Sequence, residues 1–86
     1  GPDGMKMDVK GNLWVCCHYK AEIRGISPDG KIFQLIKMPT KFVTNFVFGG
    51  KDMKTAYVTA FDGWDTPIGK VIKIRMPYAG VPIAQK

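Results

Sequence analysis

Apolar and polar residues alternate with a period of two along most of the 86 residues, in short runs broken by Gly, Pro, Asn and Asp. Successive strand residues point to opposite faces, so this period predicts β-strands. In the first run Met5, Met7 and Val9 share one face, with Lys6 and Asp8 on the other. "VKGN" then reads as a hairpin turn. Over residues 13–19, Leu13, Val15, Cys17 and Tyr19 share one face, and Trp14, Cys16 and His18 share the other. Both faces are largely apolar, which predicts a strand covered on both sides. A third strand is expected over residues 22–26. "SPDGK" follows as a turn, with Pro and Gly where turns favour them, and a fourth strand is expected over 32–38. After Pro39 the pattern starts again: a strand at 45–48, the loop "GGKDMKT", a strand at 56–61, the longer loop "DGWDTPIG", a strand at 70–76 and a ragged tail to Lys86. No apolar set at i, i+3, i+4 lasts a dozen residues, so no helix of normal length is predicted.

The restart is a repeat. "DGMKMD" aligns with "TNFVFGG", which sets Met5 and Met7 against Phe46 and Phe48, 41 positions on. "NLWVCC" aligns with "TAYVTA", which sets Trp14 against Tyr57, 43 positions on, the two extra residues falling in the "GGKDMKT" loop. "AEIRGISP" corresponds roughly to "KVIKIRMP". One unit is therefore about four strands in roughly 40–45 residues, the period of a β-propeller blade. The expected fold is all-β: two consecutive blades, residues 1–39 and 40–86, the second with three strands only. A blade covers its neighbour's face, so two blades leave two broad apolar faces, and propellers close with roughly four to eight blades. Further blades of one polypeptide, or copies of this chain, are the partners this predicts.

Composition narrows the function classes. A chain with 45% hydrophobic and 23% charged residues is ordinary for a folded domain. The net charge of +6 comes mostly from lysines scattered singly, with Arg24 and Arg75 the two arginines. No basic stripe for nucleic acid results. A small barrel for single strands would need aromatics exposed among basic residues, whereas Trp14, Phe33, Phe46, Phe48 and Tyr57 sit within apolar runs, as core residues do. No apolar run approaches the ~18 residues of a membrane span. Cys16 and Cys17 are adjacent and point apart along a strand, which suits neither a disulfide nor zinc. Reduced thiols and no visible leader give a cytoplasmic expectation. Cys17 and His18 likewise face apart, so they are not read as a nucleophile and its base.

The run "PDGMKMDVKGNLWV" resembles the gluconolactonase and senescence-marker-protein family, the regucalcin-like proteins. "VTNFVFGGKDMKTAYVT" resembles that family's next blade and "GKVIKIRMPYAGVPI" its closing segment. The resemblance spans nearly the whole chain, and about the C-terminal third of such a six-bladed protein. It implies hydrolysis of sugar lactones and related esters with one divalent metal in the central channel, Ca²⁺ foremost and Zn²⁺ or Mg²⁺ as alternatives. The implied ligands are a Glu near the N-terminus, an Asn midway along, and the Asp of the PDGM motif, here Asp3, which also assists proton transfer from water. A hard cation takes such oxygens and polarises a carbonyl. Asp3 is expected in a turn where its strand begins, next to Gly4. The family's Glu and Asn have no counterpart in these 86 residues, so an isolated monomer is expected to be inactive.

Five further residues are candidates for substrate contact. Thr44 and Asn45 occupy the place equivalent to Asp3 one blade on, where they would line the channel; a turn pair satisfying backbone groups is the structural alternative. Asp62 and Trp64, together with Asp65, lie in "FDGWDTPIG", a loop suited to a channel rim or merely to covering a blade edge. His18 is read as structural. Two functional readings follow. In one the chain is part of a lactonase-like hydrolase. In the other three copies close a six-bladed ring, bring their Asp3 residues together near the axis, and bind a metal or a small polar ligand without catalysis.

Overall fold

The computed structural model describes residues 2–17, 20–62 and 69–81, with side chains from Gly4 onward. Seven strands lie among these residues: β1 (Pro2–Met7), β2 (Leu13–Cys17), β3 (Glu22–Ile26), β4 (Ile32–Lys37), β5 (Phe42–Gly49), β6 (Thr55–Phe61) and β7 (Lys70–Arg75). They form two antiparallel meanders, a four-stranded sheet ordered β1-β2-β3-β4 and a three-stranded sheet ordered β5-β6-β7. No α-helix occurs among the described residues. These are two propeller blades, the second with three strands among the described residues.

The pairing registers assign the faces. Met5, Val15, Arg24 and Leu35 are paired across the first sheet and share its outer face. Trp14, Cys16 and Ile23 lie on the other face, which packs on the second sheet. There Phe46, Val58 and Ile72 pair in a row, as do Phe48, Ala56 and Ile74. Together Trp14, Cys16, Ile23, Val43, Phe46 and Val58 make one continuous core between the sheets. Trp14 and Cys16 are fully buried, and Val15, facing the other way, is only 7% exposed, so β2 is covered on both sides as its pattern predicts. The innermost strands β1 and β5 run side by side, and β2 also packs on β5.

Turn chemistry matches the expected breaks. Gly11 (φ +84°) and Gly30 (φ +87°) take left-handed conformations that a side chain would strain, in "VKGN" and "SPDGK" respectively. In the first of these, Asp8 is the organising residue. Its carboxylate accepts from the backbone N–H of Lys10 (2.8 Å) and Asn12 (2.9 Å), from Asn12 Nδ2 (2.8 Å) and from Trp14 Nε1 (2.9 Å). Burial alone would raise the Asp8 carboxyl; the donors from Trp14, Asn12 and Lys10 outweigh it and hold it below its ordinary value.

Four expectations change. The opening Pro-Asp-Gly is strand rather than turn: β1 begins at Pro2, paired with Cys17. β5 begins at Phe42, not Asn45, because a bulge interrupts the alternation from which its start was read. The tail is anchored as far as Val81. Asp8 and Gly80 form a β-bridge, Val9 N–H donates to Ala79 O (2.8 Å), Val81 N–H to Met7 O (3.0 Å) and Gly80 N–H to Met53 O (2.8 Å). This segment ties the first hairpin of one blade to that of the other, and Gly80 lies so close on the Phe48 ring that a Cβ there would overlap it. Finally, the registers set Ile26 against Ile74, through Leu13 and Ala56, 48 positions on. The motif match of Pro28 to Pro77 is therefore one residue out of step, which on a strand exchanges the two faces.

Candidate functional site

Asp3 lies in β1 at a β-bulge. Pro2 pairs with Cys17 and Met5 with Val15, so Asp3 and Gly4 together oppose the single residue Cys16. The same irregularity recurs 41 residues later. Val43 pairs with Ala60 and Asn45 with Thr59, which leaves Thr44 as the extra residue of β5. Bulges of this kind bend a strand, change which side its neighbours present, and concentrate beside active sites. Each inner strand thus carries one bulge at the repeat position where the candidate residues fall.

The two bulges touch. A Cβ placed on Gly4 would overlap the Asn45 carboxamide, 2.9 Å from its Cγ and 3.2 Å from its Cα, so glycine next to Asp3 is what lets β5 approach. Asn45 Oδ1 accepts from the Phe46 backbone N–H (2.8 Å), which fixes the amide so that Nδ2 is left to donate elsewhere. Thr44 and Thr59 hydroxyls are 2.8 Å apart, and Thr59 Oγ1 donates to Asn45 O (3.1 Å). Thr44 and Asn45 are strand rather than turn, and their side chains satisfy backbone groups: Asn45 Oδ1 takes the Phe46 N–H, and Thr44 Oγ1 lies 3.4 Å from Thr59 O. A groove of about 320 Å³ opens here, lined by Asn45, Phe46, Val47, Tyr57, Thr59 and Val71. Thr59 is the site residue that sequence reasoning passed over. The repeat could have found it, since it aligns with Cys16, the residue opposite the first bulge.

Asp62 follows β6 at the end of the sheet where β5 begins. It pairs with Lys70, and its Oδ1 lies 2.9 Å from Thr40 Oγ1, which also reaches Phe61 O at 2.9 Å. The Lys70 ammonium first, then the Thr40 hydroxyl, hold its carboxyl below the ordinary range. It is already engaged as a tie between β7 and the β4–β5 connection. Trp64 and Asp65 lie outside the described residues, as do His18 and Tyr19. Glu22, by contrast, is a buried carboxylate on the first blade, held below its ordinary value by Arg24 Nε (2.6 Å) and then Lys37 Nζ (3.0 Å). It lies on β3 in the row Pro2–Cys17–Glu22, two strands across from the start of the first bulge. Among the described residues no three His, Cys, Asp or Glu side chains gather as a metal site would require. No helix among them is long and apolar enough to cross a membrane.

A profile of the SMP-30/Gluconolactonase/LRE-like region matches residues 1–62 of this architecture, the span that holds both bulges. The chain belongs to this family. Among its relatives, regucalcin of Bos taurus is 45% identical over 67 residues, which cover 76% of this chain and 22% of that protein. Regucalcin of Homo sapiens is 42% identical over 81 residues, 92% of this chain and 26% of the relative. The solved structure of a luciferin-regenerating enzyme superposes with a TM-score of 0.75 at 28% identity, covering 98% of this chain and 32% of that one. The chain therefore spans about a quarter of the length of the curated relatives it matches. Two blades that fill about a third of the solved neighbour agree with a six-bladed architecture.

Proposed function

We propose that this chain contributes two blades to a gluconolactonase-like hydrolase of sugar lactones or related cyclic esters, with Asp3 as the carboxylate that takes a proton from the attacking water. The observation that supports this most is the paired bulge: Asp3 sits on an inner strand at an irregularity repeated at Thr44, with Gly4 packed against Asn45. Hydrolysis of a lactone needs a base for water and donors for the carbonyl oxygen as charge develops on it. Asp3 supplies the first. Asn45 Nδ2, with its amide fixed through Oδ1 and packed against Gly4, is the donor proposed for the second. The ester C–O bond breaks as water adds, and the proton Asp3 receives passes to the departing alkoxide. Asp62 and Trp64 belong to this reading as rim residues.

A divalent cation, calcium first and zinc or magnesium after it, is part of the family-level reading. The described residues do not fit a cation by themselves: Asp3 is one carboxylate, and a hard cation takes six or more oxygens. No step assigned to this chain runs through a metal, and any further ligands come from other blades. The isolated monomer is accordingly proposed to be inactive.

The test is hydrolysis of D-glucono-δ-lactone followed by pH-stat, with Ca²⁺, Zn²⁺ or Mg²⁺ added in turn, at protein concentrations spanning several decades. Activity per chain is expected to rise with association and to fall roughly 100-fold or more in Asp3→Asn, the range for loss of a general base. Asp62→Asn should retain most of it. Identical rates for the native chain and Asp3→Asn under every condition overturn the assignment.

A further inference from the structure

We infer that Thr59, with Thr44, is a positioning residue: its hydroxyl fixes the peptide plane from which the Asn45 carboxamide is held against the backbone beside Asp3. The inference deepens the hydrolase reading and rests on it for what Asn45 does. The bulge in β5 leaves Thr44 as an extra residue between Val43, paired with Ala60, and Asn45, paired with Thr59. An extra residue disrupts the ladder locally, so backbone groups there need partners from elsewhere. Two side-chain hydroxyls supply them. Thr59 Oγ1 donates to Asn45 O (3.1 Å) and lies 2.8 Å from Thr44 Oγ1. A hydroxyl carries a single proton. The Thr59 proton is committed to Asn45 O, so the Thr44 hydroxyl donates to Thr59 Oγ1, with Thr59 O beside it at 3.4 Å. The result is a directed chain from Thr44 to Thr59 to the Asn45 carbonyl, in which each link polarises the next.

The last link falls on a particular peptide group. Asn45 C=O and Phe46 N–H are the two polar ends of one planar unit. Thr59 holds the first from β6, and Asn45 Oδ1 accepts from the second at 2.8 Å. The unit is thus gripped on both edges, and the carboxamide is one of the grips. Rotation of the plane moves the Phe46 N–H, and the carboxamide must follow it or lose its donor. That carboxamide occupies the space a Cβ on Gly4 would fill, 2.9 Å from Asn45 Cγ, so a shift of the plane draws it away from β1 or drives it into the strand. Gly4 is the neighbour of Asp3 in the first bulge. One hydroxyl on β6 therefore sets where Asn45 Nδ2 lies relative to the strand that carries Asp3. The hydroxyl chain is internal to the second blade, so it does not depend on what lies against the blade's outer face.

Amide hydrogen exchange and nitrogen–proton correlation spectra of the 86-residue chain test this with two variants. Thr59→Val keeps the branched shape and the strand preference and removes the hydroxyl. Thr59→Ser keeps the hydroxyl. In Thr59→Val the Phe46 amide is expected to exchange about tenfold faster, the scale of one hydrogen bond, and the Asn45 Nδ2 protons to move to the shifts of a freely rotating carboxamide. In Thr59→Ser both stay at their native values. Thr44→Val removes only the first link and gives a smaller change of the same sign. The amides of β6, the central strand of its sheet, are the control and keep their protection. Unchanged Phe46 exchange and Asn45 shifts in Thr59→Val overturn the inference. So does a serine variant that behaves like the valine one, or a loss of protection spread over all of β6, which marks Thr59 as part of the sheet's stability alone. Turnover is read separately. In the glucono-δ-lactone assay Thr59→Val is expected to lower kcat about tenfold with KM unchanged, and Thr59→Ser to restore it. Where the native chain turns over, an unchanged kcat in Thr59→Val also overturns the inference. A native chain without turnover under any condition refutes the hydrolase reading and leaves the exchange result to decide the positioning.

Discussion

Asp8 in the first blade and Gly49 in the second occupy one position of the repeat, and Trp14 and Tyr57 occupy another. In the first blade the ring lies between the sheets, fully buried, and its indole N–H donates to the Asp8 carboxylate at 2.9 Å. In the second the ring lies over Gly49, where a Cβ would stand 2.8 Å from Tyr57 Cε2. A buried N–H must find an acceptor or forfeit its hydration. A phenol on an open face keeps water and needs none. The two hairpins therefore turn by different means: one on a buried carboxylate with four donors, the other on the exposed Asp52, which accepts from the Lys54 N–H (3.0 Å) and pairs with Arg75, while Gly49 makes room for the ring. Stability should accordingly be concentrated in the first hairpin, and in the tail segment that joins it to the second.

The contrast breaks most visibly at its centre. Asp8→Ala strands the indole, the Asn12 amide and two backbone N–H groups, and is expected to cost about 3 kcal/mol or more; urea denaturation of the 86-residue chain measures it, and a loss below ~1 kcal/mol would show that the hairpin does not depend on that hub. Gly80→Ala comes next, at about 1–3 kcal/mol, because its Cβ overlaps the Phe48 ring. Gly69→Ala, with nothing within 4 Å, is its control and should shift stability by no more than ~0.5 kcal/mol. Trp14→Phe should cost about 2 kcal/mol, through the lost hydrogen bond and the space left.

Acid gives a smaller effect at the same place. The Asp8 carboxyl binds its proton more weakly folded than unfolded. Its contribution is therefore full above the ordinary carboxylate value, declines as pH falls below about 4, and is gone once the folded group is protonated. Glu22, Asp29, Asp52 and Asp62 are depressed as well. The Asp8 share is thus the difference between the pH–stability curves of the native chain and Asp8→Asn, which should be smaller at pH 3 than at pH 6. Smallest of all is Tyr57→Phe, within ~0.5 kcal/mol in the monomer. A larger loss appearing only on association would mean that the phenol is covered there.

How far the site could be read in advance differs residue by residue. Asp3 was singled out by the motif around it, and Thr44–Asn45 by their place one repeat on. That they sit on bulges was hidden, because a bulge interrupts the alternation by which strands are recognised. The same interruption made β5 look short and the Pro-Asp-Gly opening look like a turn. Thr59 carried no local signal, since its role depends on lying across the ladder from the second bulge. Asp8 read as an ordinary polar residue on a strand, because its four donors come from a turn and a tryptophan that only folding brings round it.

Alternation of residue types, turn residues and the internal repeat determined the all-β class, the strand count and the blade-like unit, because each depends on neighbours within a few positions. The tertiary structure decided the rest: which face of each sheet became core, the contact of Gly4 with Asn45, and the tail strapped across both hairpins. Those depend on register between strands and on packing between sheets. A shift of one residue leaves every local preference unchanged and reverses every face.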